Sequence, residues 1–205
     1  FNKAYNKNLN YFSQSLNLEN SDLHNEGLLL LSKINFNNVI NLNINNNKIS
    51  DITPLKYCCY PNLKKLTCSS NNETPFNFRI KNISPLIDCH FSNLLILNLR
   101  HNFISDISYL LLMNFPSLII LDLAYNNIES IQTFSKVNLP KLESLDLCNN
   151  FIYDISPFNS RGKRKKMLQS INSAKQLFIS YNKKSKIIEN NGNTDSILPA
   201  LKILK

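Results

Sequence analysis

One spacing recurs along this chain and restricts its fold more than any other property. Leu94-x-x-Leu97-x-Leu99-x-x-Asn102-x-Ile104-x-x-Ile107 is followed by Leu118-x-x-Leu121-x-Leu123-x-x-Asn126-x-Ile128-x-x-Ile131. A third copy reads Leu142-x-x-Leu145-x-Leu147-x-x-Asn150-x-Ile152-x-x-Ile155. The leading residues of these copies lie 24 apart, as do those of the earlier copies beginning at Val39 and Leu63. The Val39 copy continues through Leu42, Ile44, Asn47, Ile49 and Ile52, and the Leu63 copy through Leu66, Cys68 and Asn71. From Leu63 to Leu94 the step is 31, and the pattern resumes at Ile80, Ile83 and Leu86, so the extra residues are placed at 72–79. Weaker copies flank the array, as Leu16-x-Leu18-x-x-Ser21-x-Leu23 and Leu177-x-Ile179-x-x-Asn182, with a further one begun at Leu201-x-x-Leu204. A fixed period of this length marks one supersecondary unit stacked on itself.

The spacing also dictates what each unit must be. In Leu-x-Leu the alternation has period two, so both leucines point to one face of a short strand. A strand that short cannot bury its face alone, but parallel stacking aligns the leucines into one core and pairs each backbone with the next. The asparagine after Leu-x-Leu-x-x sits where the chain leaves the strand, and its amide can both donate to and accept from the backbone. Asn47, Asn71, Asn102, Asn126, Asn150 and Asn182 are therefore expected to form an internal ladder. Beyond them, the Ile-x-x-Ile spacing predicts a short helix or 3₁₀ turn on the opposite side. Pro54, Pro61, Pro116, Pro140 and Pro157 should keep such pieces short. An apolar residue (Phe36, Tyr60, Phe91, Phe115, Leu139) stands three before each leading position.

The pattern Phe-x-x-Leu-x-x-Leu-x-Leu-x-x-Asn-x-Ile-x-x-Ile at 91–107 resembles the intracellular leucine-rich repeat class typified by the regulatory subunit of protein phosphatase 1. Ile-Ser-Asp-Ile-Thr-Pro-Leu at 49–55 is similar to the internalin form of that pattern. The resemblance covers most of residues 16–204. It implies an α/β leucine-rich repeat solenoid, a horseshoe with short parallel strands on the concave face and 3₁₀ or short helical turns on the convex face. Residues 1–15 are read as a polar extension and 16–205 as a single domain, with insertions near 72–79 and 159–168. No capping unit is seen at the end of the sequence, so the polypeptide is expected to continue past Lys205 or to be covered there by a partner.

The resemblance further implies a non-catalytic scaffold that binds another protein. Two alternatives stay open: a regulatory region of a larger enzyme (a kinase, cyclase or phosphatase complex), and a ribonucleoprotein subunit. The three glycines leave no phosphate-cradling loop or dinucleotide fingerprint, and no hydrolase or kinase motif can be laid on the chain. His24, His90 and His101 are far apart, and Cys89-His90 lacks further ligands at metal spacing, so neither metal nor cofactor is expected. Asp122 and Asp146 occupy equivalent positions one repeat apart, which the repeat itself explains. Asn72-Glu73-Thr74 and Asn82-Ile83-Ser84 match glycosylation sequons, as chance allows in a chain with 35 asparagines. Such asparagine usage points to AT-rich coding of the protozoan kind. Five cysteines without a disulfide spacing suggest reduced thiols and a cytoplasmic or nuclear setting. No apolar run approaches the ~20 residues of a spanning helix, so no membrane insertion is expected.

Strand residues that do not face the core line the concave side, where solenoids usually bind. Between the keyed leucines stand Asn43, Thr67, Asn98, Asp122, Asp146 and Phe178. Just after them come Arg100, His101, Tyr125, Cys148 and Tyr181. Exposed aromatic and arginine side chains dominate interface energetics. The expected partner contacts are Asn98, Arg100, His101, Asp122, Tyr125, Asp146, Phe178 and Tyr181, with Arg100, Tyr125, Phe178 and Tyr181 foremost. A basic segment, Arg161, Lys163, Arg164, Lys165 and Lys166, interrupts the pattern and supplies much of the net charge of +9, with Lys183, Lys184 and Lys186 nearby. It reads as a solvated loop, with nuclear localisation or phosphate contact as the functional alternatives. Nucleic acid ranks below protein as a partner, because no stacking platform accompanies these charges.

Overall fold

The computed structural model describes residues 1–5, 8–10, 12–70 and 74–154, together with the backbone of 176–178. Seven three-residue strands stack in sequence order into one parallel sheet: β1 (Ser15–Asn17), β2 (Asn41–Asn43), β3 (Lys65–Thr67), β4 (Ile96–Asn98), β5 (Ile120–Asp122), β6 (Ser144–Asp146) and β7 (Gln176–Phe178). Their register places Leu16, Leu42, Leu66, Leu97, Leu121, Leu145 and Leu177 opposite one another in turn. From Leu16 to Leu145 these leucines are at most 1% exposed. The pairing continues past each strand: Leu99 N–H donates to Asp122 O at 2.9 Å, and Leu123 N–H to Asp146 O at 2.9 Å. The second leucine of each pair is thereby fixed in the same core.

Each turn into a strand has one cause. Leu63, Leu94, Leu118 and Leu142 donate their N–H to the carbonyl three residues back, on Tyr60, Phe91, Phe115 and Leu139, at 3.0–3.2 Å. The apolar residue at that position closes a tight turn and is itself buried, at 1% exposure in all four cases.

The returning arms carry 3₁₀ turns at Thr53–Tyr57, Ser84–Asp88, Ser108–Leu111 and Gln132–Ser135. In the first two, Pro54 and Pro85 occupy the opening positions, where a missing N–H costs nothing. The first arm differs, because it holds a nine-residue α-helix, α2 (His24–Ser32). That arm has two more residues between Ser21 and Phe36 than the later arms without an insertion have between asparagine and turn residue, which leaves room for two helical turns. The short helix α1 (Asn2–Tyr5) packs on it: Tyr5 Oη donates to Leu23 O at 3.3 Å, and Phe1, Tyr5 and Leu9 are partly buried against the core. Strands spaced ~4.8 Å on one side and bulkier turns on the other curve such a stack with its strands inside.

A candidate binding face

Outward residues on the strands bond to one another and to the backbone two residues ahead, as Asn17 and Asn43 do with Glu19 N–H and Asn45 N–H. On the first three strands polar side chains bind one another: Asn43 Nδ2 donates to Asn17 Oδ1 at 3.0 Å, and Thr67 Oγ1 to Asn43 Oδ1 at 3.0 Å. On the next three, Asn98, Asp122 and Asp146 each turn one oxygen onto the backbone two residues ahead, accepting from Arg100 N–H, Ala124 N–H and Cys148 N–H at 2.9–3.0 Å. Such local bonds explain why the position between the leucines favours Asn and Asp. They leave the second carboxylate oxygen of both aspartates turned toward the concave face.

Before Asn47, Asn102, Asn126 and Asn150 the preceding residue is left-handed in the turn. Asn46 (φ 55°) and Asn149 (φ 54°) fill this position, and asparagine tolerates it well. In the two central repeats it is filled instead by His101 (φ 57°) and Tyr125 (φ 56°), at a backbone cost of ~1–2 kcal/mol each. Their rings stack at 4.1 Å with 25° between planes. Arg100 lies with its guanidinium carbon 4.4 Å from the Tyr125 ring centroid, and its Nη1 faces Asp146 Oδ2 at 3.6 Å and Asp122 Oδ2 at 3.9 Å.

Burial, and then the neighbouring Asp146, push the Asp122 carboxyl above its ordinary value, against the opposing pull of Ala124 N–H and Arg100. Burial, with Arg100 and Arg79 nearby, pushes His101 down, toward the neutral ring.

Sequence reasoning missed the outer edge of this cluster. Ile96 and Ile120 also face outward, on the strands beside Asn98 and Asp122, with Ile120 36% exposed. Around the strand exits an open cleft of about 270 Å³ is lined by His101, Tyr125, Phe103, Phe151, Asn127 and Arg79 among others. The predicted insertion supplies its end wall. Arg79 lies over the rings of Phe76 and Phe103 (5.2 and 5.3 Å), its Nε donates to Thr74 O at 3.0 Å, and Phe78 meets His24 edge-on at 5.5 Å. Residues outside the periodic pattern gave no signal by which to find Phe76 and Arg79. Phe103 and Phe151 could have been found, as the bulky residues next to the ladder asparagine.

The ladder asparagines that are described, Asn47, Asn102, Asn126 and Asn150, are 1–3% exposed. Asn126 Nδ2 donates to Leu99 O, Leu123 O and Ala124 O at 3.0–3.2 Å, and its Oδ1 accepts from Ile104 N–H at 3.0 Å. Asn150 repeats this with Leu123 O, Leu147 O, Cys148 O and Ile128 N–H. Asn71, Asn182, Tyr181 and the basic segment Arg161, Lys163, Arg164, Lys165 and Lys166 lie outside the described residues, as does the side chain of Phe178, whose backbone pairs opposite Asp146. Among the described residues no group of three His, Cys, Asp or Glu is placed to hold a metal ion, and no helix is long and apolar enough to cross a membrane.

A family model described as Leucine Rich repeats (2 copies) matches residues 116–160. No curated protein sequence matches the chain. Among solved structures it is similar to an internalin (inlF) from Listeria monocytogenes str. 4b F2365, at 24% identity over 78% of this chain and 58% of that one, with a TM-score of 0.39. It is similar also to internalin C2 (inlC2) of the same organism, at 25% identity over 72% of this chain and 76% of that one, with a TM-score of 0.38. The chain thus spans less than two thirds of the inlF chain. By strand order, register and repeat length the fold is a leucine-rich repeat solenoid.

Proposed function

We propose that this chain is a non-catalytic interaction scaffold that binds a protein partner on its concave face, centred on Arg100, Tyr125, Asp122 and Asp146. Repeat solenoids generally mediate protein–protein interaction through this face. The observation that carries the reading is Tyr125: a large ring, 38% exposed, held in a costly backbone conformation between His101 and Arg100. Partly exposed aromatic and arginine side chains are the groups that dominate binding energy when a partner covers them. Asn98 and His101 complete the patch, and the repeat pattern of the sequence adds Phe178 and Tyr181 to the proposed contacts.

Replacing Tyr125 by Asn tests this without disturbing the turn, since Asn46 and Asn149 occupy the same position in other repeats. Partner affinity should fall at least ~10-fold while the circular dichroism spectrum and melting curve stay close to those of the parent. Undiminished affinity in a folded variant would remove Tyr125 from the binding face.

A further inference from the structure

The occupied seat on Tyr125 shows what chemistry this corner accepts. A guanidinium already rests there, yet it is loosely held: 3.6 and 3.9 Å separate Arg100 Nη1 from the two carboxylates, whereas a charge-assisted N–H···O bond closes to ~2.7–2.9 Å. The Arg100 side chain is about a third exposed, and its Nη1 closes onto neither carboxylate at hydrogen-bond distance, so the attraction that holds it is well below that of a close, fully formed pair. Each carboxylate is oriented by its other oxygen, which accepts the backbone N–H two residues on, so both would keep their aim if Arg100 swung away.

Among the outward residues of β1–β6, Asp122 and Asp146 are the only acids and Lys65 the only base. Among the strand residues negative charge is therefore confined to this one place, while the carboxylate just beyond β1, Glu19, is already engaged by Asn43 and Asn46. Ile96 and Ile120 stand beside it as apolar shoulders.

Resting on the protein-binding reading above, we infer that the Tyr125–Asp122–Asp146 corner is a receptor for an arginine side chain of the partner, and that Arg100 holds the seat in the free protein. Arginine fits better than lysine. A planar guanidinium can lie on the tyrosine face while its donors reach two carboxylates on neighbouring strands, ~4.8 Å apart, and a point-charge ammonium cannot do both. Arg100 is then a resident competitor, and its removal strengthens cation binding.

The probe is N-acetyl-argininamide, titrated into the whole isotope-labelled chain and followed by amide and side-chain NMR, with N-acetyl-citrullinamide as the neutral isostere. Arg100→Ala should bind the arginine probe about fivefold more tightly than the parent, from release of an ion pair and a ring contact of modest strength. The shifts should centre on Tyr125, Ile96 and Ile120, and citrulline should give none. In R100A/D122N/D146N the binding should vanish, and because Asn keeps the backbone-accepting oxygen that variant should still fold. Equal or weaker probe binding by R100A, or equal binding of citrulline, overturns the inference. So do the same shifts appearing without probe as protein concentration rises, since the seat would then take a second copy of this chain. If Tyr125→Asn abolishes partner capture while R100A gains no affinity for the probe, the protein-binding reading stands and this one falls.

Discussion

Truncating Asn126 to Ala isolates the contribution of one rung of the internal ladder. The amide donates to three carbonyls, but each of those keeps another partner when it is gone: Leu99 O still accepts from Asn102, Leu123 O from Asn150, and Ala124 O from His101 N–H. The acceptor side has no such reserve, because Ile104 N–H donates to Asn126 Oδ1 in a region closed to water. The loss therefore concentrates in one buried, unpaired N–H, which costs ~1–3 kcal/mol. Urea denaturation followed by circular dichroism should show the unfolding free energy falling by that amount, through a lower midpoint at unchanged slope. Asn114→Ala, on an exposed side chain, should stay within ~0.5 kcal/mol of the parent. If Asn126→Ala also falls within that range, the ladder does not hold neighbouring repeats together.

Asp122→Asn should raise stability at neutral pH. The folded carboxyl titrates above its ordinary 3.8 because of burial and Asp146, so the parent loses stability as pH rises from 3.8 through the folded value; the advantage of Asn should be absent at lower pH and complete above that window, and a pH-independent difference would contradict the assignment. Alkylation of the native protein should modify Cys59, which is exposed, well before Cys58 and Cys89, which are buried with thiols pushed up to about 12 by desolvation; mass mapping that finds all three equally fast would contradict the packing of the outer arms. Gly27→Ala should release the amino-terminal helix despite the ~1 kcal/mol that Ala adds to helix propensity, because the new Cβ would lie 2.6 Å from Tyr5 Oη and 2.9 Å from Leu23 Cβ; unchanged hydrogen-exchange protection at residues 2–5 would show that the contact yields.

The strand stack was legible because each unit repeats the same burial problem, so Leu97, Leu121 and Leu145 announce their common face by spacing alone. The 3₁₀ arms followed from spacings of three and from prolines. Helix α2 was not legible, since what distinguishes the first arm is two extra residues rather than a change of pattern. Periodicity likewise placed Tyr125 and His101 just after the strands, but not their left-handed backbone or the stack they form. Those follow from substituting bulky rings at a turn position that other repeats give to asparagine. Arg79 with Phe76 lay beyond reach because an insertion, by definition, breaks the register that makes the rest readable.

The central claim is that the concave corner around Tyr125 is where a protein partner binds. Affinity capture from the native cell with the parent chain and with Tyr125→Asn, quantified side by side by mass spectrometry, tests it most directly. The account predicts that a specific protein is retained by the parent and depleted at least ~10-fold on the variant, with both baits equally folded. Equal retention of the same proteins by both baits would contradict it.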